Sequence, residues 1–199
     1  MTRQTTSPIA RLPMNVSSRQ ARWLVKQIDA GDLDINPPYQ RGDVWTEDQR
    51  VALMWSLLAG IPVPSIIIND RHGDWWADTT TYDKNNPQGA SYAVIDGKQR
   101  LLAVRAWYSG ELSIPASWIP SDEVGTTEET EDGPYVRATV LTDLGRRMTG
   151  ERIHLSVAEA TVSSLREEAQ IYLLVNGAGT VQTEDDMANA ASVAGGSAL

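Results

Sequence analysis

Ser91-Tyr92-Ala93-Val94-Ile95-Asp96-Gly97-Lys98-Gln99-Arg100-Leu101 changes its hydrophobic period at its centre, and that change decides the fold. Its first five residues make a short β-branched and aromatic run of strand length. Beyond Gly97, Leu101, Val104 and Tyr108 recur at the spacing of one helix face, and Gly110 supplies a stop. A strand running through Asp-Gly straight into a helix sets a carboxylate and several unbonded backbone N–H groups at the carboxyl edge of a sheet. The expected class is α/β (α+β).

That turn carries the candidate chemistry. Gly97 permits close approach of backbone or ligand, while Lys98 and Arg100 add cationic donors matched to phosphate oxygens. Cations in the first turn oppose the helix dipole unless something negative is bound there. An anionic ligand is one reading. The other is structural: Asp96 caps the helix and Arg100 pairs with it one turn later, as on many ordinary helices.

Outward from the turn, residues 1–15 read as an extended arm without periodicity. Ser17 or Ser18 is the expected cap of a first helix, with Ala21, Leu24, Val25 and Ile28 on its buried face and Gly31 beyond its end. Ile35 to Arg41 is held extended by Pro37 and Pro38 and ends in the polar pair Gln40 and Arg41. Thr46-Glu47-Asp48-Gln49 is a capping-box pattern ahead of Val51, Met54, Trp55 and Leu58, a second amphipathic helix. Ser65 to Asn69 reads as a strand buried on both faces, and 70–90 as a long loop or hairpin. The run 120–134, with six acidic residues, reads as a solvated loop, followed by a strand over 134–141. Val162, Leu165, Ala169, Tyr172 and Leu173 predict a long helix over about 156–175, broken by a turn at 176–179. Thr183 is the expected cap of a short last helix, and 191–199 an expected disordered tail. Trp45, Trp55 and Trp107 sit in or beside apolar patterns and are expected in the core.

Bulk properties narrow the chemistry. The chain of 199 residues suits one domain, expected over 16–190, and its 41% hydrophobic and 22% charged residues are globular values. No cysteine is present, which removes disulfides, thiolate metal sites and cysteine nucleophiles. His72 and His154 are far apart, so a histidine-rich metal site is not expected, whereas a carboxylate could serve a hard cation such as Mg2+. His72 lies in a polar loop and is expected to be exposed. A net charge of −9 argues against a broad grip on nucleic acid but leaves room for a local basic pocket. No apolar run is long enough to span a membrane, and with no signal-peptide core at the amino terminus the expected location is cytoplasmic.

Three ordered blocks, Pro38-Tyr39-Gln40-Arg41-Gly42-Asp43-Val44-Trp45, Ser56-Leu57-Leu58-Ala59-Gly60-Ile61-Pro62-Val63-Pro64 and Ile95-Asp96-Gly97-Lys98-Gln99-Arg100-Leu101, resemble the amino-terminal domain of GmrSD-type restriction proteins. Asn176-Gly177 and the stretch to Ala190 look like that family's later Asn/Gly-rich turn. The resemblance implies a ParB/sulfiredoxin-like fold, a small mixed sheet surrounded by helices with a more helical carboxy-terminal part. The family's motif is Asp-Gly-Gln-Gln-Arg, in which Lys98 here replaces the first glutamine; sulfiredoxin's catalytic cysteine is missing. By resemblance, Asp96, Gln99 and Arg100 are the expected catalytic set, and Asp96 the expected Mg2+ ligand. Gln40, Arg41, Gly97, Lys98, Arg100 and Asn176 are the expected phosphate-binding set. The implied function is nucleotide binding, with Mg2+-dependent NTP hydrolysis, in restriction defence or counter-defence, in a setting that suits a phage or mobile element. DNA and a host or defence-system protein are further expected partners. A histidine-bearing nuclease region of the His-Asn-His type is not legible in the chain. The alternative is a non-catalytic module that binds DNA, a nucleotide or a host protein.

Overall fold

The computed structural model describes residues 11–78, 89–177 and 184–195. Its strands in chain order are β1 (Met14–Gln20), β2 (Leu33–Asp34), β3 (Ile66–Asp70), β4 (Tyr92–Asp96), β5 (Ser113–Pro115), β6 (Glu128–Thr130), β7 (Gly133–Arg137) and β8 (His154–Ala160). The helices are α1 (Ala21–Asp29), α2 (Glu47–Leu58), α3 (Lys98–Ser109), α4 (Asp143–Arg152), α5 (Leu165–Gly177) and α6 (Glu184–Gly195). A five-stranded mixed sheet in the order β1-β8-β3-β4-β2 forms the centre, and β5-β7-β6 make a small antiparallel sheet beside it. The class is α+β, as expected.

Alternation along the central strands sorts the core into two layers. Ile66, Ile68 and Val94 join one apolar cluster with α1, α2 and α3, where Met54, Leu101 and Trp107 are fully buried. Their neighbours Ile67 and Ile95 point the other way, into a second cluster with Tyr39, Ala169, Tyr172 and Ala190. Helices thus cover both faces of β3 and β4, which explains why these strands read as continuous apolar runs instead of alternating ones.

Pairing directions fix which loops meet. β2 runs parallel to β4, so the chain leaving β2 through residues 35–45 and the turn leaving β4 at Asp96-Gly97 emerge at one edge of the sheet. β3 is antiparallel to β4 and therefore starts at that edge. β8 is parallel to β3 and ends at the opposite edge, so α5, which follows it, runs back across the sheet. Its 13 residues span about 20 Å at the usual helical rise, enough to bring Tyr172 and Asn176 to the site.

Several expectations are corrected. The amino-terminal arm gives way to strand by Met14, and β1 contains both Ser17 and Ser18, so α1 starts at Ala21 without a side-chain cap. Residues 154–160 are strand β8 held between β1 and β3, and the helix expected from about 156 begins at Leu165. The segment Asp143–Arg152 is helix α4, which no apolar stripe announces: its buried residues are Gly145, Thr149 and Gly150. The 120–134 run is not wholly solvated, because Glu123 is 3% exposed and accepts two hydrogen bonds from Arg152. It also contains β6, and the strand expected over 134–141 is β7, which ends at Arg137. Trp107 is in the core and Trp45 packs partly against it, but Trp55 is 48% exposed. The capping box at Thr46 and Gln49 is present as read, and His72 is exposed. α6 continues to Gly195, into the segment expected to be disordered from 191. Thr183, residues 79–88 of the 70–90 excursion and residues 178 and 179 lie outside the described residues.

Candidate functional site

Gly97 makes the turn possible. Its φ of +97° lies in the left-handed region, and a Cβ built there would meet Ile66 Cδ1 at 2.4 Å and Ile66 Cα at 3.2 Å. Gly97, not Asp96, is the residue before the first turn of α3, and no side chain caps that end. The first intrahelical bond runs from Leu101 N to Gly97 O at 3.0 Å, so the N–H groups of Lys98, Gln99 and Arg100 precede it. They open towards a cavity of about 550 Å3 lined by the 40–45 loop, the starts of α2 and α3, and the end of α5.

All the expected site residues, namely Gln40, Arg41, Asp96, Gly97, Lys98, Gln99, Arg100 and Asn176, line this one cavity. Their polar atoms divide into two groups. Three side chains clamp the loop. Gln40 Nε2 donates to the carbonyls of Val94 and Ile95 at 2.9 and 2.8 Å, fixing the loop to the end of β4. Lys98 Nζ donates to Asn36 Oδ1 at 2.8 Å and to Arg41 O at 2.6 Å. Gln99 accepts from the N–H groups of Val44 and Trp45 and donates to Gly42 O at 2.8 Å. Lys98 and Gln99 are each 8% exposed. Burial pushes the Lys98 ammonium below the ordinary lysine range, and Asp34 and Asp43 pull it partly back. Lys98→Met should therefore lower stability by about 1–2 kcal/mol in urea denaturation, through the two lost charged hydrogen bonds less the desolvation they offset. An unchanged midpoint would show that the ammonium does not hold the loop.

The remaining groups differ in how far they are already engaged. Asp96 Oδ2 pairs with Arg100 Nη2 at 2.6 Å, the i, i+4 arrangement of the structural reading, while Asp96 Oδ1 has no partner among the described residues. Arg100 Nη2 also donates to Ser65 O at 3.2 Å, and its Nε is buried without a hydrogen bond. Arg41 is half-buried at the cavity, and among the described residues its guanidinium meets no hydrogen-bond or ion-pair partner. Asn176 lies in the last turn of α5 and not in a turn, donating from Nδ2 to Tyr172 O at 2.9 Å. Asp43, beside the cavity loop, is taken up by an ion pair with Arg50.

One group of residues behind the site was not legible beforehand. Glu168, fully buried on α5, accepts from Arg71 Nε and Nη2 at 2.8 and 2.5 Å, from Asn69 Nδ2 at 2.8 Å and from Tyr39 Oη at 2.9 Å. Trp76 stacks on Arg71 with 4.6 Å from guanidinium carbon to ring centre. Tyr39 Oη also reaches Val94 O at 3.3 Å, so this network ties α5, β3 and the cavity loop to one another.

For magnesium the donor set fits in one way. Among the described residues no group of three His, Cys, Asp or Glu side chains could enclose a cation, and Asp96 offers the cavity's one carboxylate. That suits an ion arriving with phosphates, which supply most of its oxygens, and not an all-protein cage. Among the described residues no helix is long and apolar enough to cross a membrane.

No curated protein matches the chain. The family model for the GmrSD restriction endonuclease N-terminal domain matches residues 22–190, a span that runs from within α1 to within α6 and takes in every residue lining the cavity. The chain belongs to the family of GmrSD restriction endonuclease N-terminal domains.

Proposed function

We propose that the cavity binds the phosphates of a nucleotide and promotes their hydrolysis, in the restriction or counter-restriction setting that the family's name suggests. The observation that carries this reading is the pairing of an uncapped α3 amino terminus with two guanidinium groups, Arg41 and Arg100, in one concave site. N–H groups and positive dipole there favour an anion, and planar guanidinium forks suit phosphate oxygens. Asp96 Oδ1 would hold a water or give one oxygen to Mg2+ carried on the phosphates; such an ion would neutralise charge developing on them. Arg41 and Arg100 would take the remaining charge, while Lys98, Gln99 and Gln40 keep the loop that carries Arg41 in place. By this reading the motif's central pair acts through position.

Incubation of the protein with each NTP and Mg2+ should release phosphate, and Asp96→Ala should reduce the rate by roughly 100-fold. Release no greater from the unaltered protein than from Asp96→Ala would end the hydrolase reading. Arg41→Ala should weaken nucleotide binding by about 1.5–3 kcal/mol, the value of a charge-assisted hydrogen bond, with little change in melting temperature because its guanidinium has no hydrogen bond or ion pair to lose among the described residues.

A second reading is favoured by the Asp96–Arg100 ion pair, which occupies half of the cavity's carboxylate. The protein would then bind a nucleotide, DNA or a protein of the host or its defence system without turnover. Nucleotide-dependent thermal stabilisation without phosphate release is its expected signature.

A further inference from the structure

The cavity has more than an anion site in it. Val44, in the loop ahead of α2, and Val175, near the end of α5, both line it and are 52% and 39% exposed. Single exposed valines are ordinary, but two from separate elements at one polar cavity make an apolar pair with no partner that phosphate could supply. Besides Gln40 and Gln99, which clamp the loop, two more amides line the same space, and their orientations are fixed by what they already bond. Gln49 must turn Oε1 to the Thr46 N–H, 2.9 Å away, which leaves its Nε2 donors without a partner among the described residues. Asn176 must turn Nδ2 to the Tyr172 carbonyl, which leaves Oδ1 as an acceptor. A phosphate has no use for an apolar pair or for an acceptor. A planar heterocycle with donors and acceptors on its edge uses all of them.

We propose that this part of the cavity reads the base of the bound nucleotide, with Val44 and Val175 clamping the ring and the Gln49 amide selecting among bases. The proposal rests on the phosphate reading above and adds to it that the ligand is recognised as a nucleoside phosphate and not as a bare polyphosphate. Gln49 is the specificity-determining residue. Glutamate at that position keeps the acceptor required by Thr46, since Glu serves a capping box as well as Gln does, and removes the donors. A purely structural role for Gln49 would therefore survive Gln49→Glu.

The test is calorimetric titration of the full chain, in magnesium buffer, with inorganic triphosphate and separately with ATP, GTP, CTP and UTP. At least one NTP should bind roughly tenfold or more tightly than inorganic triphosphate, and the four should differ among themselves. Val44→Ser with Val175→Ser changes two exposed positions and should keep the melting temperature. It should weaken the preferred NTP about tenfold while leaving inorganic triphosphate unchanged. Gln49→Glu should change the order or spread of the four NTPs by about fivefold or more, while the repulsion from its added charge should weaken inorganic triphosphate and all four NTPs alike. Equal binding of triphosphate and all four NTPs would overturn the base site and leave the phosphate site standing. Binding of neither would overturn both. An intact NTP advantage in the double serine variant would remove the clamp, and an unchanged order and spread in Gln49→Glu would remove Gln49 as the selector.

Discussion

Arg71→Ala should lower the free energy of unfolding by roughly 3–5 kcal/mol, read as a drop in urea midpoint at unchanged slope. The size follows from what is left behind. Glu168 has no solvent exposure, and Arg71 meets it with two parallel hydrogen bonds, the geometry in which an Arg–carboxylate pair is strongest. Removing the guanidinium leaves a carboxylate in the interior with Asn69 and Tyr39 as remaining donors, neither of which carries charge. The stack with Trp76 is lost as well, and the Asp34 carboxylate, 3.9 Å from Arg71 Nη1, loses a compensating charge. Arg71→Met with Glu168→Leu should recover most of the loss, because a buried pair exchanged for apolar groups of like volume is often neutral. A loss under about 1 kcal/mol in Arg71→Ala would mean that water reaches Glu168 and that the network is not sealed. The effect should also extend to the site. Tyr39 immediately precedes Gln40 and Arg41, so an unsettled Glu168 frees the loop that presents Arg41 to the cavity.

That network also shows why part of this protein could not be read from its sequence. The β4–α3 turn was legible because its information is local: an apolar run, a glycine and a change from strand to helix spacing within eleven residues. The capping box was legible for the same reason. Glu168 carries no local mark in the sequence, and its partners stand 97, 99 and 129 residues away in the chain. Glu123 was hidden likewise inside an acidic run, paired with Arg152 across 29 residues. β1 buries none of its residues, its Met14 and Val16 being exposed, and belongs to the sheet through its backbone pairing with β8. In β8 itself, Ala158, Glu159 and Ala160 have good helix propensity, yet the strand position between β1 and β3 prevails. Trp55 was misplaced by a small error of phase: α2 buries Leu53, Met54 and Leu57, a face turned about one residue from the expected stripe. Within the site, the sequence pointed to residues that line one cavity but could not say which way they face. Lys98 read as a phosphate donor because of its charge, and the structure gives its ammonium to Asn36 and the Arg41 carbonyl.

The same turn that was easiest to read should also be among the least tolerant of change. Gly97→Ala combines two costs that can be separated. The left-handed backbone costs a β-carbon about 1–2 kcal/mol, and forcing a methyl against Ile66, whose side chain is fully buried, adds about 1–3 kcal/mol of overpacking. The expected total is therefore roughly 2–5 kcal/mol in urea denaturation. Gly133 supplies the reference, since its φ of +110° is equally left-handed while a Cβ there would meet nothing within 4 Å. Gly133→Ala should show the backbone cost alone. Ile66→Val removes the Cδ1 that a Cβ at residue 97 would strike, so Gly97→Ala and Ile66→Val should be less damaging together than the sum of their separate effects. Equal losses in Gly97→Ala and Gly133→Ala would show that Ile66 yields without cost, and that only the backbone conformation requires glycine. A larger loss at 97, relieved by Ile66→Val, would show that the start of β3 is packed directly beneath the turn. The α3 amino terminus would then be held open to the cavity by the core itself, before any ligand arrives.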